Sequence, residues 1–242
     1  MWNDALDLRD FYRSSLGQIA QRTIRRRIRA TWQNVAGLNV LGFGYAVPYL
    51  LPFREEAQRV IAAMPAQQGV LHWPSDGFSS VALCDDTEIP LPDVSVDRVL
   101  LVHGLECSEQ LRPMLREIWR ILSAGGRLLV IVPNRRGIWA RLDRTPFGHG
   151  SPYTPRQLNH LLQDTLFRPL RVQSLLFVPP SRSRMVLASS AAWENIGTRW
   201  FPTFSGVLMI EAGKEIYAAA PESTRLSRRR YVSPEPRANR TL

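Results

Sequence analysis

The 242-residue sequence predicts a doubly wound α/β domain, a mostly parallel sheet covered on both faces, with a helical extension before it. Three observations predict it. Short apolar runs of strand length recur at Leu38 to Gly42, Arg59 to Ala63, Ser80 to Leu83, Val96 to His103, Arg127 to Val132 and Leu170 to Val178. Stretches of helical periodicity alternate with them, as the crossovers of parallel strands require. The first run ends in a glycine-bearing turn, Gly42-Phe43-Gly44, at the carboxyl end of a strand, where open α/β sheets bind ligands.

Asp4 to Trp32 contains no proline and repeats apolar residues at Leu8, Phe11, Tyr12, Leu16, Ile19, Ile24 and Ile28, the pattern of one amphipathic helix or of two broken near Gly17. The glycine turn leads into Val47-Pro48-Tyr49-Leu50-Leu51-Pro52-Phe53, where Pro52 interrupts a normal helix unless it starts a new turn. Glu109 to Leu122 carries Leu111, Met114, Leu115, Ile118 and Ile121 on a helical period, and Thr154-Pro155 supplies an N-cap and first-turn proline for a helix to Leu162. After the loop Trp200 to Ser205, Gly206 to Ala219 reads as a final strand. Beyond Pro221 the chain is polar and arginine-rich, the composition of a disordered tail. The expected organisation is a basic helical extension over residues 1–34, the α/β domain over 35–220 and the basic tail over 221–242.

Composition narrows the function. A chain 45% hydrophobic and 21% charged folds as an ordinary globular protein. Its longest apolar runs, such as Val99 to Val102, fall far short of the roughly 20 residues of a transmembrane helix. The opening Met-Trp-Asn-Asp-Ala-Leu-Asp puts acids where a signal peptide carries positive charge, so a cytoplasmic location is expected. Cys84 and Cys107 provide neither a disulfide framework nor a zinc site; they read as packing residues, and no metal is expected. The net charge of +10 sits at the ends: residues 1–34 hold seven Arg against three Asp, and residues 221–242 hold six Arg against two Glu. With no recognition fold beside it, this charge does not point to nucleic acid. The five arginines between Arg22 and Arg29 read as a solvated helix face, the other reading being a membrane-surface or anion-binding patch.

Glycines in the first turn allow close backbone approach, and amides at a following helix start favour an anion. Further on, Cys84-Asp85-Asp86-Thr87-Glu88-Ile89-Pro90-Leu91-Pro92-Asp93 leads into Ser95-Val96-Asp97-Arg98-Val99, and Leu122-Ser123-Ala124-Gly125-Gly126 precedes the next strand. This ordered series resembles the class I S-adenosylmethionine-dependent methyltransferases, specifically the type 11 methyltransferase domain. The resemblance implies a Rossmann-like methyltransferase fold and S-adenosylmethionine as cofactor. It places Gly42, Phe43, Gly44 and Tyr45 in the cofactor loop, Met64 at the ribose, Asp85 at the adenine amino group, Asp86 with a backbone amide at the adenine ring, and His103 at the cleft mouth. Three positions depart from the family pattern: Val40 replaces the first-strand acid, Ala46 the third glycine and Met64 the ribose acid. Losing a charge-assisted hydrogen bond at the ribose would weaken cofactor binding by about 10- to 100-fold.

Aromatic Phe43, Tyr45, Tyr49, Trp73 and Phe78 lie near these positions, either packing the sheet edge or stacking on an adenine. After the fifth strand, a loop rich in Gly, Pro, Arg and aromatic residues offers Asn134, Arg135, Arg136, His149 and Tyr153 as substrate contacts. No catalytic residue is assigned, although His103 and His149 are the plausible general bases. Glu106 reads as an acid at a helix start. The expected function is methyl transfer to a small-molecule or protein acceptor, the alternative being a catalytically inactive methyltransferase-like binding or regulatory module. Oligomeric state is not legible.

Overall fold

The computed structural model describes residues 4–181 and 183–216. Its seven strands are β1 (Asn39–Gly44), β2 (Arg59–Pro65), β3 (Val81–Cys84), β4 (Val96–Val102), β5 (Leu122–Pro133), β6 (Phe167–Leu175) and β7 (Val207–Lys214). They form one sheet in the order β3-β2-β1-β4-β5-β7-β6. The first five strands are parallel, and β7 runs antiparallel to both β5 and β6. The doubly wound, mostly parallel sheet predicted from the sequence is the fold observed.

Alternation along the strands feeds two cores. Val40, Ala62, Met64, Leu100, Val102, Leu129 and Met209 face one cluster; Leu41, Phe43, Ala63, Val99, Leu101, Leu128 and Leu208 face the other. This is the period-2 burial of a sheet covered on both sides. Helices α4 (Leu111–Ile121) and α5 (Pro155–Asp164) cover the second face, contributing Met114, Leu115, Ile118, Leu158 and Leu162. A capping box between Thr154 and Gln157 starts α5.

The first face is covered by α1 (Ala5–Arg13), α2 (Ser15–Thr31) and the short α3 (Val47–Leu50). Pro52 opens a separate 3-10 turn, Leu51–Phe53, directly after α3. The chain breaks between α1 and α2 at Ser14, not at Gly17. The Ser14 hydroxyl donates to the Phe11 carbonyl at 2.6 Å and accepts from the Gly17 amide at 3.1 Å. Gly17 lies inside α2, where a Cβ would stand 2.0 Å from the Phe11 carbonyl oxygen, so glycine is what lets α2 start against the end of α1. The far end of α2 reaches the sheet: Trp32 Nε1 donates to Glu211 of β7 at 3.2 Å.

Two helices were not expected from the sequence, α6 (Arg184–Ala188) and α7 (Ser190–Trp200). Their apolar side chains do not mark a buried stripe, since Met185, Trp193, Ile196 and Trp200 are exposed. The expected tail over 221–242 and the end of the expected last strand lie outside the described residues.

Candidate cofactor and acceptor site

The carboxyl ends of β1 and β4 meet at Gly44. Its φ of +75° is a left-handed conformation, and a Cβ there would lie 2.3 Å from the Val102 carbonyl oxygen and 3.0 Å from the Gly104 nitrogen. The glycine therefore serves a close crossing of two backbones. At Gly42 an added Cβ would meet Leu50 and Ala46, so this position admits α3 against the strand. Phe43 is buried toward the α4 side.

A buried polar chain stands at this crossing. Tyr49 donates its hydroxyl to that of Tyr12 at 2.9 Å, and Tyr12 lies 2.7 Å from His103 Nε2. The Tyr12 proton therefore points to Nε2 as acceptor, which leaves the imidazole proton on Nδ1, 3.2 Å from Glu106 Oε1. Tyr45 stacks on Tyr12 with ring centroids 5.9 Å apart, and Phe147 approaches His103 to 4.9 Å. Burial raises the Tyr12 and Tyr49 hydroxyls well above the ordinary phenol range, and Tyr45 is pushed up to about 12 for the same reason. His103 has φ +51°, unusual for a residue with a side chain, at the position that directs its ring into this chain. Glu106 sits in the loop before α4, which begins at Leu111; it is a buried partner of His103 and not a helix-start acid.

The turn after β2 closes over the same place. Gln68, almost fully buried, donates through Nε2 to the His103 carbonyl, while Gln68 Oε1 and Glu106 Oε2 have no hydrogen-bond partner among the described residues. Between Pro65, Gln67, Gln68, Asp86, Gly104 and Ser108 a cavity of only about 20 Å³ is left. Asp86 accepts from the Ser108 hydroxyl at 2.6 Å. Asp85 is exposed and accepts from the Thr87 amide and hydroxyl, which hold its carboxyl below the usual range. Val40 and Met64 are buried in the core of the first face.

The five residues of the post-β5 loop do different things. Asn134 turns inward, donating from Nδ2 to the Thr203 and Ser205 carbonyls at 2.9 Å each. Tyr153 bridges in parallel to Asn134, and its hydroxyl is raised to about 12 by burial and then by the nearby Glu106 carboxylate. Arg135 and Arg136 are exposed, Arg135 donating to the Pro152 carbonyl. His149 lies 2.8 Å from the Asp143 carbonyl. The structure thus brings Tyr45, His103 and Tyr153 toward one centre with Glu106, and leaves Arg135, Arg136 and His149 at the rim. Trp73 carries the Arg54 guanidinium over its ring, and Phe78 is exposed.

Sequence reasoning placed Tyr49 near the site as an aromatic but missed Tyr12, Gln68 and Glu106 as parts of this centre. Tyr12 had been assigned to the buried stripe of the extension, and nothing in its spacing says that the stripe ends on His103. Cys84 and Cys107 are packing residues whose thiols burial raises to about 11 and about 12. No cluster of metal-ligating side chains occurs among the described residues.

Beyond Phe11 and Phe147, whose centroids are 6.2 Å apart, a second cavity of about 490 Å³ opens. Asp7, Asp10 and Leu16 line one wall, Arg144 and Leu187 the other, and Thr145, buried with its hydroxyl unpaired among the described residues, adjoins it.

Residues 41–130 match the family described as "Methyltransferase domain". Among curated proteins, the chain is 28% identical over 139 residues to the ubiquinone/menaquinone biosynthesis C-methyltransferase UbiE of Rubrivivax gelatinosus, covering 57% of this chain and 53% of that protein. The corresponding protein of Cupriavidus taiwanensis is 25% identical over 135 residues, covering 56% and 54%. The chain spans about half the length of these relatives. Among solved structures, a possible histamine N-methyltransferase from Thermotoga maritima superposes with a TM-score of 0.60 at 15% identity, covering 86% of this chain and 94% of that one. The [4+2]-cyclase SpnF gives 0.58 at 20% identity, covering 85% and 84%. These likenesses show the fold. The curated relatives carry methyltransferase names and give no support to the alternative of an inactive module.

Family and fold imply S-adenosylmethionine as cofactor. The conformation described does not fit it: the crevice between the ends of β2, β3 and β4 holds about 20 Å³, whereas sites for ligands of this size run to about 300 Å³ or more. Gln68 is among the side chains that line it.

Proposed function

We propose that the chain, whose residues 41–130 match the methyltransferase-domain family, is an S-adenosylmethionine-dependent methyltransferase acting on a small organic acceptor. The observation that supports this reading is the buried Tyr49–Tyr12–His103–Glu106 chain at the carboxyl crossing of β1 and β4, beside the glycine turn and the crevice. His103 Nε2 accepts from the Tyr12 hydroxyl and its Nδ1 faces Glu106, so the chain fixes the ring's orientation at the crossing. A cavity of about 490 Å³ across the Phe11–Phe147 pair is of the size that small ligands use, which favours a small acceptor over a protein one. The relatives' printed activity, C-methylation in quinone biosynthesis, is one candidate acceptor class.

Isothermal titration of the full chain with S-adenosylhomocysteine and S-adenosylmethionine tests it. Dissociation constants in the micromolar range are expected; absence of heat at millimolar ligand overturns the reading.

A further inference from the structure

We propose that the α6–α7 face, together with the neighbouring arginines of α2, docks on an anionic lipid bilayer surface. Trp193, Ile196 and Trp200 recur at i, i+3 and i+7, the spacing of a single stripe, and that stripe faces solvent. It continues into Phe201 and Phe204, each 57% exposed beside Trp200 at 67%, and Met185 of α6 is 81% exposed. Three large aromatic rings, Trp200, Phe201 and Phe204, are exposed within five residues of chain, a density that invites a partner surface. Trp and Phe rings of this kind lodge at the boundary between headgroups and acyl chains.

Charge selects this occupant over a neutral one. Arg199 lies over the Trp200 ring, centroid 5.9 Å away, and Arg184 opens α6. Helix α2 packs against α6, and Arg27 is close enough to act on the half-buried Glu194 carboxyl of α7. Arg22, Arg25 and Arg26 are exposed on that same helix α2, which adds positive charge to the side of the molecule that carries α6. Basic groups beside apolar side chains are what an anionic leaflet attracts. No helix among the described residues is long and apolar enough to cross a membrane, so the contact is interfacial. Asn134 ties the Thr203–Ser205 turn to the end of β5, which joins this face to the site loop.

The test is co-sedimentation of the full chain with phosphatidylcholine vesicles, with and without about 30 mol% phosphatidylglycerol, read also by tryptophan emission. Binding to the anionic vesicles with a blue shift, falling with salt, is expected. Trp200→Ser/Phe201→Ser should weaken it at least tenfold with an unchanged melting temperature, and Arg26→Glu/Arg199→Glu should abolish the preference for anionic vesicles. Equal binding by the aromatic variant, no binding at low salt, or a concentration-dependent dimer that buries the stripe without vesicles would each overturn the proposal. None of these readouts depends on the cofactor.

Discussion

Replacing Met64 by aspartate separates two accounts of the end of β2. The family resemblance puts a ribose-binding acid there, which would make the substitution strengthen cofactor binding. The structure puts Met64 at 0% exposure in an apolar cluster with Val40, Ala62 and Val102. Removing a buried methionine side chain costs about 2 to 5 kcal/mol once the cavity is included. The new carboxyl must then be buried without a partner, either ionised at a cost of several kcal/mol or protonated with a raised pKa, adding about 2 to 3 kcal/mol. The sum, about 4 to 8 kcal/mol, is comparable to the whole stability of an ordinary domain. For a chain of this length it lowers the melting temperature by roughly 10 to 25 °C. Met64→Leu conserves volume and should cost under about 1.5 kcal/mol. Thermal melts followed by circular dichroism, with titration of S-adenosylhomocysteine into both variants, are the assay. A Met64→Asp protein that melts within about 2 °C of the parent and binds more tightly would refute the burial argument.

Three further outcomes are expected. Gly44→Ala forces a left-handed backbone worth about 1 to 2 kcal/mol and presses a Cβ to 2.3 Å from the Val102 carbonyl oxygen, so urea unfolding should show a loss of about 2 to 5 kcal/mol. With thiols raised to about 11 and about 12, Cys84 and Cys107 should react with iodoacetamide at pH 8 on the order of 100-fold and 1000-fold more slowly, respectively, than in the urea-unfolded chain, as measured by mass spectrometry. Burial raises the Glu194 carboxyl, opposed by hydrogen bonds from the Phe177 and Leu176 amides, so the folded state holds that proton more tightly than the unfolded one. Its stabilising contribution is present below the unfolded value and is lost as pH rises through the folded one; Glu194→Gln should remove this slope from a pH series of melts.

Strand positions were legible because a sheet buried on both faces turns each strand into a short apolar run, and β1, β2, β3 and β4 lie within two or three residues of those runs. The glycine turn was legible from its residue type and its place at the end of a strand. Gly44 needs its conformation, but the atoms that approach it belong to Val102 and Gly104. The centre was not legible because its members are distant in sequence: Tyr12 and His103 are 91 residues apart, and no local pattern couples them. Residues 184–200 hid their helices by exposing the apolar side chains that periodicity arguments assume are inside.

The covering of one sheet face by α1 and α2 also has a consequence for biosynthesis. These helices leave the ribosome before every surface they bury against: Tyr12 waits for His103, Trp32 for Glu211 at a separation of 179 residues, and Phe11 for Phe147. At roughly 5 to 20 residues per second, the wait for Glu211 is about 10 to 35 seconds. During that time Leu8, Phe11, Tyr12, Ile24 and Ile28 form an amphipathic hairpin with its apolar side unmatched, a target for a holding chaperone and for a neighbouring nascent chain alike. Arginines occupy its outer side, so like charge opposes the pairing of two such hairpins.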